Sequence, residues 1–291
     1  MTDNTHSNLD DKIYQPIECL DHGFVRLVDY MGSDEAIVQA ARVSYGKGTK
    51  KVRQDRGLIR YLLRHQHTSP FEMVEFKFHC KMPIFVARQW IRHRTANVNE
   101  YSLRYSKAVG DFYLPERENI RFQSKLNRQG RAEEDVPDDL KQRVLDILDS
   151  NSKRTWKDYI DLEGQDIARE LARINLPLNI YTEWYWKIDL NNLMHFLKLR
   201  LDTHAQFEIR IYAEAIAKII KDIVPMTWEA FLDYVYNSRT FSSIEMNILR
   251  KLLESKSDEY DWEQIALDNG LEKLEAKEFA LKFSVQHDIT N

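Results

Sequence analysis

The sequence predicts an α+β fold, an antiparallel or mixed sheet packed by helices, with a C-terminal helical extension. Three observations carry that expectation. Residues 23–30, 71–82 and 179–189 alternate apolar and polar side chains with a period of two, as half-buried strands do. Helical apolar stripes lie between and after these segments, without the regular strand–helix alternation of a doubly wound sheet. None of the nine glycines falls in a GxGxxG or a GxxxxGK[ST] phosphate cradle.

Along the chain, residues 1–20 are expected to form a mobile tail. After the strand at 23–30, Ser33 or Asp34 caps a helix carrying Ala36, Ile37, Ala40 and Ala41, which Gly46-Lys47-Gly48 breaks. A second helix over 53–64 has Leu58, Ile59, Leu62 and Leu63 as its stripe, and Thr68-Ser69-Pro70 stops it. In the strand at 71–82, Phe76, Phe78 and Cys80 share a face. Pro83 then suits the start of a helix over 84–92. Residues 94–115 read as extended or loop-like, and the polar, weakly periodic stretch 117–139 as an exposed insertion. Helices are expected at 138–163 and 165–175, the second ended by Pro177. The aromatic strand 179–189 places Trp184 and Trp186 on one face, with Tyr181 and Tyr185 on the other. Helices follow at 190–201, 203–223 and 227–237. Two further amphipathic patterns, 243–255 and 260–283, make the extension 238–291.

Composition narrows the function. The 291 residues are 43% hydrophobic and 30% charged, an ordinary globular balance. Forty-two Lys and Arg stand against 46 Asp and Glu, a net charge of −4, which argues against a protein that coats nucleic acid. The two cysteines, Cys19 and Cys80, form no CxxC and no disulfide framework, which suits a reducing, intracellular setting. The N-terminus shows no apolar leader, and no stretch reaches the roughly 20 apolar residues of a membrane span, so a cytoplasmic location and no membrane partner are expected. There is no HExxH, no GxSxG and no cysteine pair at zinc spacing. His65-x-His67 reads as a helix-ending pair or, less simply, a metal site; no metal is expected.

Three clusters remain. Arg88-Gln89-Trp90-Ile91-Arg92-His93-Arg94 leads into Asn97, Asn99, Glu100, Ser102 and Arg104, a dense field of donors suited to phosphate or carboxylate. Helical spacing puts Gln89, Arg92 and His93 on one face. The alternative is a solvated basic face with internal ion pairs. On the stripe Leu193, Phe196, Leu197, Arg200, His204, an arginine interrupts an apolar face and needs an anion. Glu208, on the same stripe, could be that anion, or a bound ligand could. The third cluster, His67-Thr68-Ser69-Pro70-Phe71-Glu72, is either a capped turn or one wall of a pocket. The aromatic strand could stack on a ring-bearing ligand or serve as core.

Arg92-His93-Arg94 followed by Ser102 matches the RHR(x)7S signature of the flavin-dependent thymidylate synthases, and the chain resembles that family more widely. Blocks at Gly23-Phe24-Val25, Ala40-Ala41-Arg42-Val43-Ser44, Ser69-Pro70-Phe71-Glu72, Pro83-Ile84-Phe85-Val86-Ala87-Arg88-Gln89-Trp90, Leu176-Pro177-Leu178-Asn179 preceded by Arg173, and Leu199-Arg200 to Glu208 occur in family order. The resemblance spans residues 21–237, which it implies form a catalytic, flavin- and nucleotide-binding domain. It implies reductive methylation of deoxyuridylate (dUMP) to thymidylate (dTMP), with methylenetetrahydrofolate as carbon donor and FAD, reduced by NADPH, as hydride source. It further implies a homotetramer with active sites between protomers.

The roles that carry over by matching positions are these. Arg92, His93 and Arg94 resemble residues that hold FAD, with Ser44, Ser69 and Glu72 completing the pocket. Gln89, Arg92, Glu100, Ser102 and Arg104 resemble the dUMP site, and Arg173 the arginine lent by a neighbouring protomer. Arg200 resembles the catalytic arginine against the uracil ring, where a cation favours ionisation of N3. Asp189, Asn191 and His195 occupy the variable FAD-contacting segment. Met73 stands where the family often has His. Two other readings of the same residues are a non-enzymatic RNA-binding protein built on the arginine cluster, and a metal-dependent nucleotide hydrolase using His65, His67, His93, Asp202 and His204.

Overall fold

The structure is a computed structural model of the chain and describes residues 13–43, 52–125, 130–254 and 260–284. It divides into two compact units, Met1–Tyr236 and Asn237–Asn291.

The first unit contains strands β1 (Pro16–Cys19), β2 (Gly23–Met31), β3 (Glu75–Pro83), β4 (Asn97–Glu100), β5 (Arg121–Gln123), β6 (Arg131–Asp135) and β7 (Tyr181–Asp189). Five of them make one sheet in the order β1-β2-β3-β7-β4, and β5 with β6 makes a separate ribbon. Every pairing in the sheet is antiparallel. Alternation decides which face is buried. Phe76, Phe78, Cys80 and Met82 of β3 point inward, and across from them stand Ile188, Trp186, Trp184 and Thr182 of β7. Each large side chain buried there contributes roughly 1.5–3 kcal/mol. In β2 the register shifts between Leu27 and Asp29, a bulge that turns Tyr30 back towards the core after Val25 and Leu27.

Helices cover that inner face. They are α1 (Asp34–Val43), α2 (Val52–Arg64), α3 (Ile84–Trp90), α6 (Leu190–Arg200), α7 (Phe207–Ile223) and α8 (Pro225–Phe231). The stripe Ile209, Ala213, Ile216 and Ile220 of α7 is buried in the same core as β2 and β3. Asp34, at the start of α1 and 3% exposed, accepts from Met226 N (2.7 Å), Thr227 N (3.0 Å) and Thr227 Oγ1 (2.6 Å), so it satisfies the first free amides of α8. A smaller core lies where the long helix α4 (Asp138–Gly164) meets residues 103–112. There Tyr159 accepts from the Ala108 amide at 3.0 Å. Gly110 is required at that crossing, because a Cβ would stand 2.8 Å from Trp156 Cε2.

Several expectations change. Residues 16–19 are not tail: β1 pairs with β2 from Pro16↔Arg26 to Cys19↔Gly23, and Cys19 is buried. Four residues are too few for a period to show. Residues 1–12 lie outside the described residues, as does the Gly46-Lys47-Gly48 break. The strand expected from Phe71 begins at Glu75, since Phe71–Met73 is a 3-10 turn in which the Phe71 and Glu72 amides bond back to Thr68 O and the Met73 amide to Pro70 O. The stretch 94–115, read as extended or loop-like, contains the short strand β4. The 117–139 insertion is a ribbon with Ile120 and Val136 buried. The helix expected over 165–175 is only α5 (Arg169–Ala172) and a 3-10 turn, Arg173–Asn175. The helix expected from 203 starts at Phe207, because Asp202 Oδ1 takes the His204 amide at 2.8 Å and holds a turn.

In the second unit, α9 (Ser243–Glu254) follows the sequence pattern. The pattern at 260–283 is two helices, α10 (Trp262–Asp268) and α11 (Lys273–Ser284), parted at Gly270, whose φ is +91°.

Candidate active site

Pro83 closes β3 and sets the chain into α3, a helix of only seven residues. Its rotation is fixed by Trp90, which is fully buried. The Trp90 ring meets Trp184 and Trp186 edge-on, with centroids 5.5 and 5.1 Å away, and stacks on Phe196 at 5.0 Å. With Trp90 inward, the polar residues of this helix separate onto two sides. Of the three residues that helical spacing groups, Gln89 and His93 contact Arg200, and Arg92 lines a cleft that neither of them lines.

On one side, His93 and Gln89 meet Arg200. The Arg200 Nε–H donates to His93 Nε2 at 3.1 Å, and Nη2 donates to the Gln89 carbonyl at 3.4 Å. Burial, then the nearby charges of Arg200 and His195, lower the His93 pKa from 6.5 to about 4. The imidazole is therefore neutral at neutral pH, with its proton on Nδ1 because Nε2 is an acceptor. Burial also lowers the Arg200 pKa. Among the described residues no carboxylate pairs with Arg200. Glu208 is not its partner: that carboxylate accepts from Arg131 Nη2, from the Tyr113 hydroxyl at 2.9 Å and from Gln206 Nε2 at 2.9 Å.

On the other side, Arg88 and Arg92 line a cleft of about 370 Å³ with Ile84, Ala87, Ile91, Glu100 and Trp184. Glu100 is held from β7 by the Thr182 hydroxyl at 2.8 Å. Beyond β4, the Ser102 side chain accepts from the Arg104 amide at 3.3 Å, and its carbonyl accepts from Tyr105 and Ser106, so Ser102 opens a turn. Arg104 makes an exposed ion pair with Glu170 at 3.4 Å. Arg88, Arg92 and Arg94 are exposed and have no carboxylate partner among the described residues.

The turn carrying Ser69 and Glu72, both exposed, packs beside the start of α6, where the Leu190 amide donates to Val74 O at 2.8 Å. Asp189 caps that helix, accepting from Asn192 N (2.9 Å) and Asn192 Nδ2 (2.8 Å). Its carboxylate therefore has a structural task already. Asn191 is half-buried, and His195 is exposed near His93. Ser44 lies outside the described residues. The Arg173 side chain has no hydrogen-bonded or ionic partner among the described residues, and its neighbours Leu171 and Ile174 are 58% and 70% exposed.

The sequence did not reveal Tyr113 and Arg131 as partners of Glu208. The one signal was an acid on an apolar stripe, which announces a partner without naming it. Among the described residues, no three His, Cys, Asp or Glu side chains converge to hold a metal ion. His65 and His67 instead flank the Tyr61 ring at 4.4 and 6.0 Å. Burial pushes the Cys19 thiol up to about 12 and the Cys80 thiol well above its ordinary value, so neither is a nucleophile.

Comparison with known proteins gives this geometry a context. The profile of the family described as thymidylate synthase complementing protein matches residues 26–226. A flavin-dependent thymidylate synthase of Wolbachia pipientis is 56% identical over 249 residues, covering 86% of this chain and 87% of that protein. The enzyme of the same name from Rickettsia bellii is 54% identical over 260 residues, covering 85% and 88%. The chain belongs to the flavin-dependent thymidylate synthases. Two solved structures of this fold, a UMP/dUMP methylase from Streptomyces cacaoi bound with 5-bromo-UMP and with 5-bromo-dUMP, are 35% and 34% identical. Each superposes with a TM-score of 0.68 over 77% of this chain. Membership makes the chain an enzyme, and the RHR segment of this flavin-dependent thymidylate synthase is the stretch that Trp90 divides into two polar sides.

Proposed function

We propose that the chain converts dUMP to dTMP in the cytoplasm, with methylenetetrahydrofolate as carbon donor and FAD, reduced by NADPH, as cofactor, in a homotetramer whose active sites lie between protomers. The observation that carries this reading is Arg200, a half-buried guanidinium held by a neutral histidine and a carbonyl, with no anion of its own. The uracil ring, ionised at N3, is the missing anion. Arg200 lowers the cost of that ionisation by placing fixed positive charge where negative charge develops.

The donor set fits a flavin dinucleotide. Arg92 and Arg94 offer guanidinium groups free of carboxylates to its phosphates, and Ser69, Glu72, Asn191 and His195 offer a hydroxyl, a carboxylate, an amide and an imidazole. When bound, the flavin supplies the hydride. The neutral His93 ring adds no positive charge beside Arg200, so the arginine's attraction stays directed to the substrate. Gln89, Arg92, Glu100, Ser102 and Arg104 bind and orient dUMP in this reading. Arg173, on a segment with exposed leucine and isoleucine neighbours, reaches a second protomer's nucleotide phosphate. The test is dTMP formation followed by mass spectrometry in anaerobic mixtures of protein, FAD, NADPH, dUMP and methylenetetrahydrofolate, with each component omitted in turn. Product that requires every component is expected. Flavin binding without product would sink the substrate assignment.

A further inference from the structure

The ribbon within residues 117–139 places one side chain, Arg131, where the proposed chemistry does not use it. Arg131 Nη2 donates to Glu208 Oε1, and the Tyr113 hydroxyl donates to the same oxygen. The Phe207 ring lies 5.7 Å from the Arg131 guanidinium and 5.8 Å from that of Arg210. The Glu208 side chain is 2% exposed. Burial acts to raise its pKa, but the Arg131 charge and the hydrogen bonds from Arg131 and Gln206 outweigh burial and hold it below the ordinary glutamate value. Glu208 is thus ionised, and an ionised carboxylate only accepts.

That fixes the amides beyond it. Gln206 must turn its Nε2 to Glu208 Oε2, at 2.9 Å, and so presents Oε1 the other way. Gln206 Oε1 accepts from Gln89 Nε2. The main-chain oxygen of Gln89 accepts from Arg200 Nη2, which leaves its side-chain Oε1 with no donor among the described residues. An isolated amide could sit either way round at similar cost. Here the buried Glu208 charge, two hydrogen bonds away, selects the orientation.

We propose that the ribbon is a positioning device for substrate, in which Arg131 and Glu208, through Gln206, fix the Gln89 amide so that its carbonyl oxygen accepts from an N–H or O–H of the nucleotide. Arg131, Glu208 and Gln206 are positioning residues, and the inference rests on the reading that puts Gln89 in the dUMP site.

The experiment measures dUMP affinity by calorimetry on the FAD-bound protein, together with kcat and KM for dUMP. Glu208→Gln, which can both donate and accept, is expected to weaken dUMP binding and raise KM about tenfold, with kcat changed much less and the flavin absorption spectrum unaltered. Arg131→Gln is expected to shift KM the same way by about threefold, and Arg131→Lys to restore it. Wild-type affinity and KM in both Glu208→Gln and Arg131→Gln would overturn the proposal, whatever happens to their melting temperatures. If Glu208→Gln does not fold, Arg131→Gln decides alone, since that side chain is 34% exposed. A wild-type protein that binds flavin but not dUMP would overturn the substrate assignment and this inference with it.

Discussion

Arg200 donates its Nε–H to Nε2 of His93 across 3.1 Å, so the half-buried guanidinium is oriented by a histidine that must stay unprotonated at that nitrogen. The pair joins the end of α6 to the segment just after α3, elements far apart in sequence. Its value is directional. One N–H of Arg200 is spent on His93 and another on the Gln89 main-chain oxygen, and among the described residues nothing takes the remainder of the fork, which suits a planar anion.

Arg200→Ala is expected to keep the fold and lose dTMP formation by at least about a hundredfold, the scale of removing one preorganised electrostatic contact. Arg200→Lys should recover only a small part, because a point charge cannot reach His93, Gln89 and the ring together. Normal turnover in the alanine variant would remove the role. Circular dichroism and flavin binding serve as the controls.

His93 gives the protein a pH dependence of known sign. Its folded pKa of about 4 lies below the ordinary 6.5, so the unfolded chain takes up the proton first as pH falls. The stability linked to His93 is full above pH 6.5 and is lost as pH falls towards 4. Urea unfolding at pH 7 and pH 5 should show a larger drop for the wild type than for His93→Gln. Equal drops would mean that other groups carry the acid sensitivity.

Asp34 is a structural acid at 3% exposure with three hydrogen bonds to α8. Asp34→Ala leaves buried donors unpaired and is expected to cost about 2–3 kcal/mol in chemical denaturation. Asp34→Asn keeps one acceptor oxygen and should cost less. If both variants unfold at the wild-type midpoint, the contact contributes nothing net.

The cysteines should be silent. With both thiols buried and held protonated, a thiol reagent is expected to label neither in the native protein and both of the two after unfolding. Cys80→Ala is expected to retain dTMP formation, losing stability through the cavity rather than activity through chemistry.

Much of the fold was legible because long elements repeat their period. Phe76, Phe78 and Cys80 of β3, and Trp184 and Trp186 of β7, announce an inward face through alternation alone. β1 and β4, with four residues each, could not, and the 3-10 turn at Phe71–Met73 imitates a strand start because its Phe is buried. Within the site, Arg200 was legible as a misplaced charge on an apolar stripe. Which partner answers it was not, because Glu208 lies on the same stripe and only three-dimensional placement hands that carboxylate to Arg131. The division of the RHR segment was hidden for a similar reason. Helical spacing groups Gln89, Arg92 and His93, and the packing of Trp90 on Trp184, Trp186 and Phe196 decides how that group is cut.

The central pairing of the sheet has a consequence for how the chain comes to exist. β3 ends at Pro83 and its partner β7 begins at Tyr181, so the middle of the sheet cannot zip until about a hundred intervening residues have been made. On the ribosome, β3 is an exposed edge bearing Phe76 and Phe78 throughout that interval, a surface open to mispairing and to chaperones. The same delay applies to chemistry, since His93 emerges long before Arg200. Folding and site assembly therefore complete together, late in synthesis, and a chain cut short before β7 has neither a closed sheet nor an oriented arginine.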